Sequence, residues 1–285
     1  AGKTTISVGQ LATASKIQSG GTVSGSLTVT IDTSALDRKV VFNAGGKDYS
    51  ITLQKPNPKN TPDTLQNLAD QIKNNAEMIS AGITASVKDG KLVIEGTDVR
   101  ISSKSTDLGM KMLGVSAGSK TVDGKLTTTA DPDAEANISV SLDGVAHTIT
   151  LDGMKDATDM TDMIAYLQNK LDFEFGKDTI KVEMKNGKIE MNTGKVQGRE
   201  IVLSGDKTTF KLFGIEDGQS NKIALGQQLQ DVGFSNSLQG STFKFNINGV
   251  DFEFENTATV SDVINKINSS KANVRVTYSE LEDKF

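Results

Sequence analysis

Asn43-Ala44-Gly45-Gly46-Lys47-Asp48-Tyr49-Ser50-Ile51-Thr52-Leu53 reads as a tight turn between alternating strands, and the same reading returns twice along the chain. The first copy continues through Leu65, Leu68 and Ile72 to Ile83-Thr84-Ala85-Ser86-Val87-Lys88-Asp89-Gly90-Lys91-Leu92. The second opens with Leu142-Asp143-Gly144-Val145 and Thr148-Ile149-Thr150-Leu151. It then passes Met160, Met163 and Leu167 and closes with Ile180-Lys181-Val182-Glu183-Met184-Lys185-Asn186-Gly187-Lys188-Ile189. The third has Ile247-Asn248-Gly249-Val250, Phe252-Glu253-Phe254, then Val260, Val263 and Ile267, then Val274-Arg275-Val276-Thr277-Tyr278. Self-similarity on this scale marks an array of like modules and favours a structural or assembly role over a single buried active site.

Each copy changes hydrophobic period in the same order: alternation, a helical stripe at i, i+3 and i+7, then alternation again. The fold class read from this is α+β and β-rich, two or three small modules of antiparallel sheet with short packed helices, each a β-β-α-β-β unit. Asp89-Gly90, Asp143-Gly144, Asn186-Gly187 and Asn248-Gly249 supply the residues that two-residue hairpins need at positive φ. Thr61 is placed as the N-cap of the first helix with Pro62 at its first position. The third copy is expected to form a strand over Val274–Tyr278 and to stop at Phe285, one residue into the return strand. Leu113-Gly114-Val115 and Phe213-Gly214-Ile215 extend the match between the first two copies to ~80 residues per unit.

Pattern fails at Gln18–Ser26, Gly118–Glu135 and Gly218–Gly240, which are polar and rich in Gly, Ser, Gln or Asn. The division that follows is a first module over 21–130, a second over 131–233, and a further domain made of 1–20 with 234–285. The strand-like Ser26-Leu27-Thr28-Val29-Thr30-Ile31 permits another division, with 37–127 inserted into a module made of 21–36 and 128–233.

Composition narrows the chemistry. The 285 residues carry a net charge of −5 with no cysteine, no tryptophan and one histidine, at 36% hydrophobic residues. Disulfides, thiolate metal sites and cysteine nucleophiles are excluded. No basic face suits nucleic acid, and no run approaches the roughly 18 apolar residues of a membrane span. His147 sits in an alternating strand without a nucleophile elbow beside it. Acids gather at Asp131, Asp133 and Glu135 and at Asp152, Asp156, Asp159 and Asp162, and neither group matches a calcium loop. Gly20–Ser26 and Gly118–Lys125 both miss the phosphate-loop pattern. Asn137-Ile138-Ser139 and Asn268-Ser269-Ser270 are glycosylation triplets. No catalytic, cofactor-binding or metal-binding residue is assigned, no cofactor is expected, and no enzyme activity.

Phe243-Lys244-Phe245-Asn246-Ile247-Asn248-Gly249-Val250-Asp251-Phe252-Glu253-Phe254, with Val260–Ser270 and Ala272–Tyr278 behind it, resembles the "IN" repeat of bacterial flagellar proteins. Together with Ile6-Ser7-Val8-Gly9-Gln10-Leu11-Ala12, it is similar to the flagellar filament cap family, the hook-associated protein 2 or FliD proteins. The resemblance implies a head-domain fragment, the truncated further domain being leg-proximal and the full-length legs helical coiled coils. It implies self-association into a ring-like oligomer, flagellin and other hook-associated proteins as partners, and export without a cleavable signal to the extracellular filament tip. Two other readings stand beside it: flagellin or another axial subunit, and a surface adhesin binding host glycans or mucin through aromatics such as Tyr49, Tyr166 and Tyr278.

Overall fold

The computed structural model describes residues 17–19, 21–57, 59, 63–185, 188–194, 198–236 and 238–285. In chain order it contains β1 (Ser26–Val29), β2 (Lys39–Ala44), β3 (Lys47–Thr52), α1 (Thr64–Lys73) and α2 (Ala76–Ser80). Then come β4 (Thr84–Lys88), β5 (Lys91–Glu95), β6 (Val99–Ile101), α3 (Asp107–Leu113) and β7 (Lys125–Thr128). The second copy has β8 (Asn137–Leu142), β9 (Val145–Thr150), α4 (Met160–Phe175), β10 (Lys181–Lys185), β11 (Lys188–Asn192), β12 (Ile201–Gly205), α5 (Lys207–Phe213) and β13 (Gln219–Ser220). The third has β14 (Thr242–Ile247), β15 (Val250–Glu255) and α6 (Val260–Asn268). The fold is α+β and β-rich, built from small antiparallel sheets with short helices. Residue contacts divide the chain into a larger unit, 26–221, and a smaller one from 1–25 and 222–285.

The larger unit holds the first two copies, and their correspondence reaches individual hydrogen bonds. In the first, β3-β2-β6 form one sheet and β4-β5-β7 another; in the second, β9-β8-β12-β13 and β10-β11-β1. The strand that closes the second sheet thus comes from two places in the chain. β7 follows α3, whereas β1 precedes the entire first copy, yet both lie in the same register. Leu126 faces Ile94 and Thr128 faces Leu92, just as Leu27 faces Met191 and Val29 faces Ile189. Past each closing strand the chain is pinned to the last helix of the copy that the strand closes, Asp131 N–H to Met112 C=O in α3 at 2.9 Å and Asp32 N–H to Leu212 C=O in α5 at 2.8 Å.

Those helices end alike. Gly114 and Gly214 both adopt the left-handed conformation, at φ 64° and 60°, which a side chain disfavours. At their starts, Thr106 and Asp206 cap the N–H groups of Gly109 and Thr209. Of the predicted stripes, Leu68 and Ile72 of α1 and Leu167 of α4 are buried in one continuous core with the strands' alternate residues, and Leu65, Met160 and Met163 pack against it partly buried. Asp89-Gly90 and Asp143-Gly144 have the positive φ expected of them, while Asn186 and Gly187 lie outside the described residues.

Two local expectations are corrected. Thr61 and Pro62 lie outside the described residues, and α1 begins at Thr64 with Asp63 as its cap, accepting from Gln66 N–H at 2.9 Å. Val274–Tyr278 joins no sheet ladder. Extended backbone becomes a strand only where a neighbouring strand takes its polar groups. At Val276 the Asn268 side chain takes them instead, accepting from the N–H at 2.6 Å and donating to the C=O at 2.9 Å.

In the smaller unit, β14 and β15 form a hairpin with Phe252 and Phe254 turned toward Val260 and Ile267 of α6. Thr259 and Asp262 form a reciprocal capping box at the start of α6, so both ends of the Thr259–Asp262 pair satisfy backbone N–H groups left over by the helix.

Candidate functional site

Two of the acidic residues that stand out in the sequence, Glu135 and Asp152, meet basic partners from the other copy. Arg38, just before β2, is buried and donates to Asp152 Oδ2 at 2.5 Å and to the Ala134 carbonyl at 3.2 Å. Asp152 Oδ1 accepts from the Ala136 N–H at 3.1 Å. Lys55 bonds Glu135 and lies 3.9 Å from Asp152. Taking these charges out of water is costly unless each finds partners, and here the partners are one another and the backbone. The arrangement locks two copies together. Gly153 lets the Tyr166 ring lie against the backbone, where a Cβ would stand 2.6 Å from the ring. Burial pushes the Tyr166 phenol above its ordinary pKa, and its hydroxyl donates to the Thr150 carbonyl at 2.9 Å.

Asp159 and Asp162 serve helix α4. Asp159 caps it, and Asp162 accepts from the Thr158 hydroxyl and N–H. The Thr158 hydroxyl, followed by its backbone N–H, holds the Asp162 carboxyl below the usual range. Among the described residues no group of three His, Asp or Glu is arranged to hold a metal ion. Asp131 turns back on the Asp133 N–H at 3.2 Å.

His147 lies on β9, with Nδ1 2.9 Å from Glu174 and the Phe175 ring edge-on at 4.7 Å. That pairing ties β9 to the end of α4, with no nucleophile in the contact. Asn137 accepts from the Thr150 hydroxyl within the sheet, and Asn268 brackets Val276, so both triplet asparagines hold local structure. The Lys47 ammonium sits 5.1 Å above the Tyr49 ring.

Two features of the smaller unit were not read from sequence. One is a polar knot: buried Asp283 accepts from the Ser24 hydroxyl at 2.6 Å and the Tyr278 hydroxyl at 2.7 Å, with Lys222 at 3.7 Å. Burial pushes the Tyr278 phenol up to about 12. Ser24 also receives the Ile223 N–H at 3.2 Å, so its hydroxyl is engaged on both sides in the interior. The separation of 259 positions between Ser24 and Asp283 hides this from any local pattern. The other is an apolar groove of about 280 Å³ between the hairpin and α6, lined by Phe243, Phe245, Phe254, Val263 and Ile264 among others.

No protein-family model matches the chain, and no curated protein matches it. Among solved structures, the flagellar cap protein FliD from Helicobacter pylori is similar at 14% identity, over 91% of this chain and 74% of that one, with a TM-score of 0.23. At that score the likeness carries no argument about function. No helix among the described residues is long and apolar enough to cross a membrane.

Proposed function

We propose that the chain is a structural and assembly protein of the bacterial flagellum, a subunit of the oligomeric cap at the filament tip that promotes flagellin insertion. The observation that carries this reading is the Phe243–Tyr278 stretch, whose hairpin and capped helix resemble the IN repeat of flagellar proteins. The side chains with chemical potential support a mechanical rather than catalytic role. His147, Asp152, Glu135 and Asp162 each bond a neighbouring residue or backbone group. Work at a filament tip requires rigid modules held at fixed geometry, and the Arg38–Asp152 and Lys55–Glu135 pairs supply such a lock between two copies. In this reading the protein is extracellular, self-associating in a ring, and in contact with flagellin and other hook-associated proteins. It has no enzymatic activity.

Gold-labelled antibody against the protein, applied to filaments isolated from its own bacterium and viewed by electron microscopy, tests this directly. Label confined to the distal tip is expected. Label along the shaft would make it an axial subunit such as flagellin, and label on cells but not filaments would make it a surface adhesin.

A further inference from the structure

Arg100 of β6 and Lys120 stand directly opposite each other in an antiparallel bridge. The bonds on either side are Ile101 N–H to Ser119 C=O at 2.8 Å and Thr121 N–H to Val99 C=O at 2.9 Å. They make this the narrow, non-hydrogen-bonded kind of pair, whose side chains share one face and lie closest together. Two like charges in that position repel. Among the described residues neither cation forms an ion pair. Every Asp and Glu of the chain lies among those residues, so no other acid of this chain neutralises them. Asp48, in the same cross-strand row, is already held by Lys104 at 2.6 Å and by Asn43 at 2.8 Å.

The second copy shows that the scaffold does not require these charges. Val202 of β12 faces Ser220 of β13 in the same pairing, flanked by Asn221 N–H to Ile201 C=O at 3.1 Å and Gly218 N–H to Leu203 C=O at 3.0 Å. The first copy's counterpart of the latter bond, Gly118 N–H to Ile101 C=O, is 2.8 Å. On the inner side Ser141 neighbours Val202 where Asn43 neighbours Arg100. An acid precedes the strand in both copies and is used differently. Glu200 accepts from the Ser220 hydroxyl at 3.0 Å, whereas the Asp98 side chain has no partner among the described residues.

Beside Arg100 lies a cleft of about 440 Å³, lined by Asn43, Asp98, Arg100, Ser102, Ser103 and Gly118 among others. That volume suits a small molecule. We propose that the cleft binds a small hydroxycarboxylate, its carboxylate held by Arg100 and Lys120 and its hydroxyl donating to Asp98. A guanidinium presents paired N–H donors that match two carboxylate oxygens, and the bound anion offsets the repulsion between the two cations. The ionised Asp98 only accepts hydrogen bonds, so the ligand needs a donor as well as a negative charge. This proposal goes beyond the flagellar reading and does not depend on it.

The test titrates the isotope-labelled 285-residue chain with L-malate, and with sodium chloride at matched ionic strength, while backbone amide shifts are followed. Saturable shifts at Asn43, Arg100, Ser102 and Gly118 with a Kd of about 1 mM or tighter are expected, with none at Ser141 and Val202 in the second copy. Arg100→Val installs the residue that the second copy carries and should weaken binding at least roughly tenfold with an unchanged circular dichroism spectrum. Lys120→Ser, the matching change on the opposite side, should weaken it roughly threefold and serves if the first variant does not fold. Succinate, which is malate without the hydroxyl, should bind at least roughly threefold more weakly. Absence of shifts in the cleft up to about 50 mM L-malate would overturn the proposal. Undiminished binding by Arg100→Val, or equal binding of succinate, would do the same. An equal response to sodium chloride would mean an adventitious ion only and overturn it. Shifts at these amides on raising the protein concentration alone would place a carboxylate of a second copy there, with the same consequence.

Discussion

The first two copies and the third begin with the same hairpin and helix and end differently. In the larger unit each first hairpin gains a third strand and each helix rests on a second sheet, so Phe42, Val140, Leu68 and Leu167 are all buried. In the smaller unit, among the described residues, the hairpin pairs as two strands, and Phe245 is partly exposed. A local sequence pattern therefore specifies a hairpin and a helix but leaves open how much of each becomes core. Burial is decided by which distant strand arrives, β6 or β12 at the first sheet, β7 or β1 at the second.

The strongest way to break this comparison is to truncate the matched aromatic positions. Phe42→Ala is expected to cost about 3–5 kcal/mol as a cavity in a closed core, and Phe245→Ala about 1 kcal/mol, because it already meets solvent. Urea denaturation of both variants reads the difference, and equal losses would refute it. Next is the lock between copies, where the first copy carries Arg38 and the second has Ala136 at the matching position. Asp152→Ala should destabilise the larger unit by about 2 kcal/mol, less than a fully buried pair because Asp152 retains some solvent contact.

The paired glycines sharpen the comparison further. A Cβ on Gly114 would stand 2.1 Å from the Thr129 carbonyl oxygen, which belongs to backbone, whereas on Gly214 it would stand 2.2 Å from the movable Thr30 hydroxyl. Gly114→Ala should therefore cost about 2 kcal/mol and Gly214→Ala about 1 kcal/mol, both including left-handed strain, in thermal melts. One substitution should stabilise. The Thr128 hydroxyl is buried with no hydrogen-bond partner, and the second copy has Val29 in that register. Thr128→Val is expected to add about 1 kcal/mol by removing an unsatisfied polar group at little change in shape.

The smallest effect is on acid stability. The Thr259 backbone N–H, and after it the hydroxyl, hold the Asp262 carboxyl below its ordinary pKa of 3.8. A depressed folded-state pKa contributes stability above 3.8 that is lost as pH falls through the lower folded value. Asp262→Asn should flatten that part of the pH–stability curve for the smaller unit. In α4, Asp162 behaves likewise.

Much of the fold was legible because its signals are local. Leu68 and Ile72 follow the helical period, and Asp89-Gly90 and Asn248-Gly249 sit where turns require positive φ. The matching Leu113-Gly114-Val115 and Phe213-Gly214-Ile215 motifs proved to be identical helix ends. What escaped depends on residues far apart. Whether Ser26–Val29 belonged with the first or second copy could not be settled locally, since its partner β11 lies about 160 residues away in sequence. Val274–Tyr278 alternates like a strand, but alternation does not provide a neighbour. Nothing local linked Glu135 and Asp152 to Arg38 and Lys55, which come from the other copy. His147 gave no hint of Glu174, which approaches it from the end of α4.

Residue-resolved amide exchange on a Leu27→Ala variant tests the central claim most directly, namely that β1 closes the second copy as β7 closes the first. The account predicts faster exchange in β10 and β11, where Leu27 faces Met191, with β4 and β5 protected as in the unaltered chain. Faster exchange in β4 and β5, or full protection of β11, would contradict it.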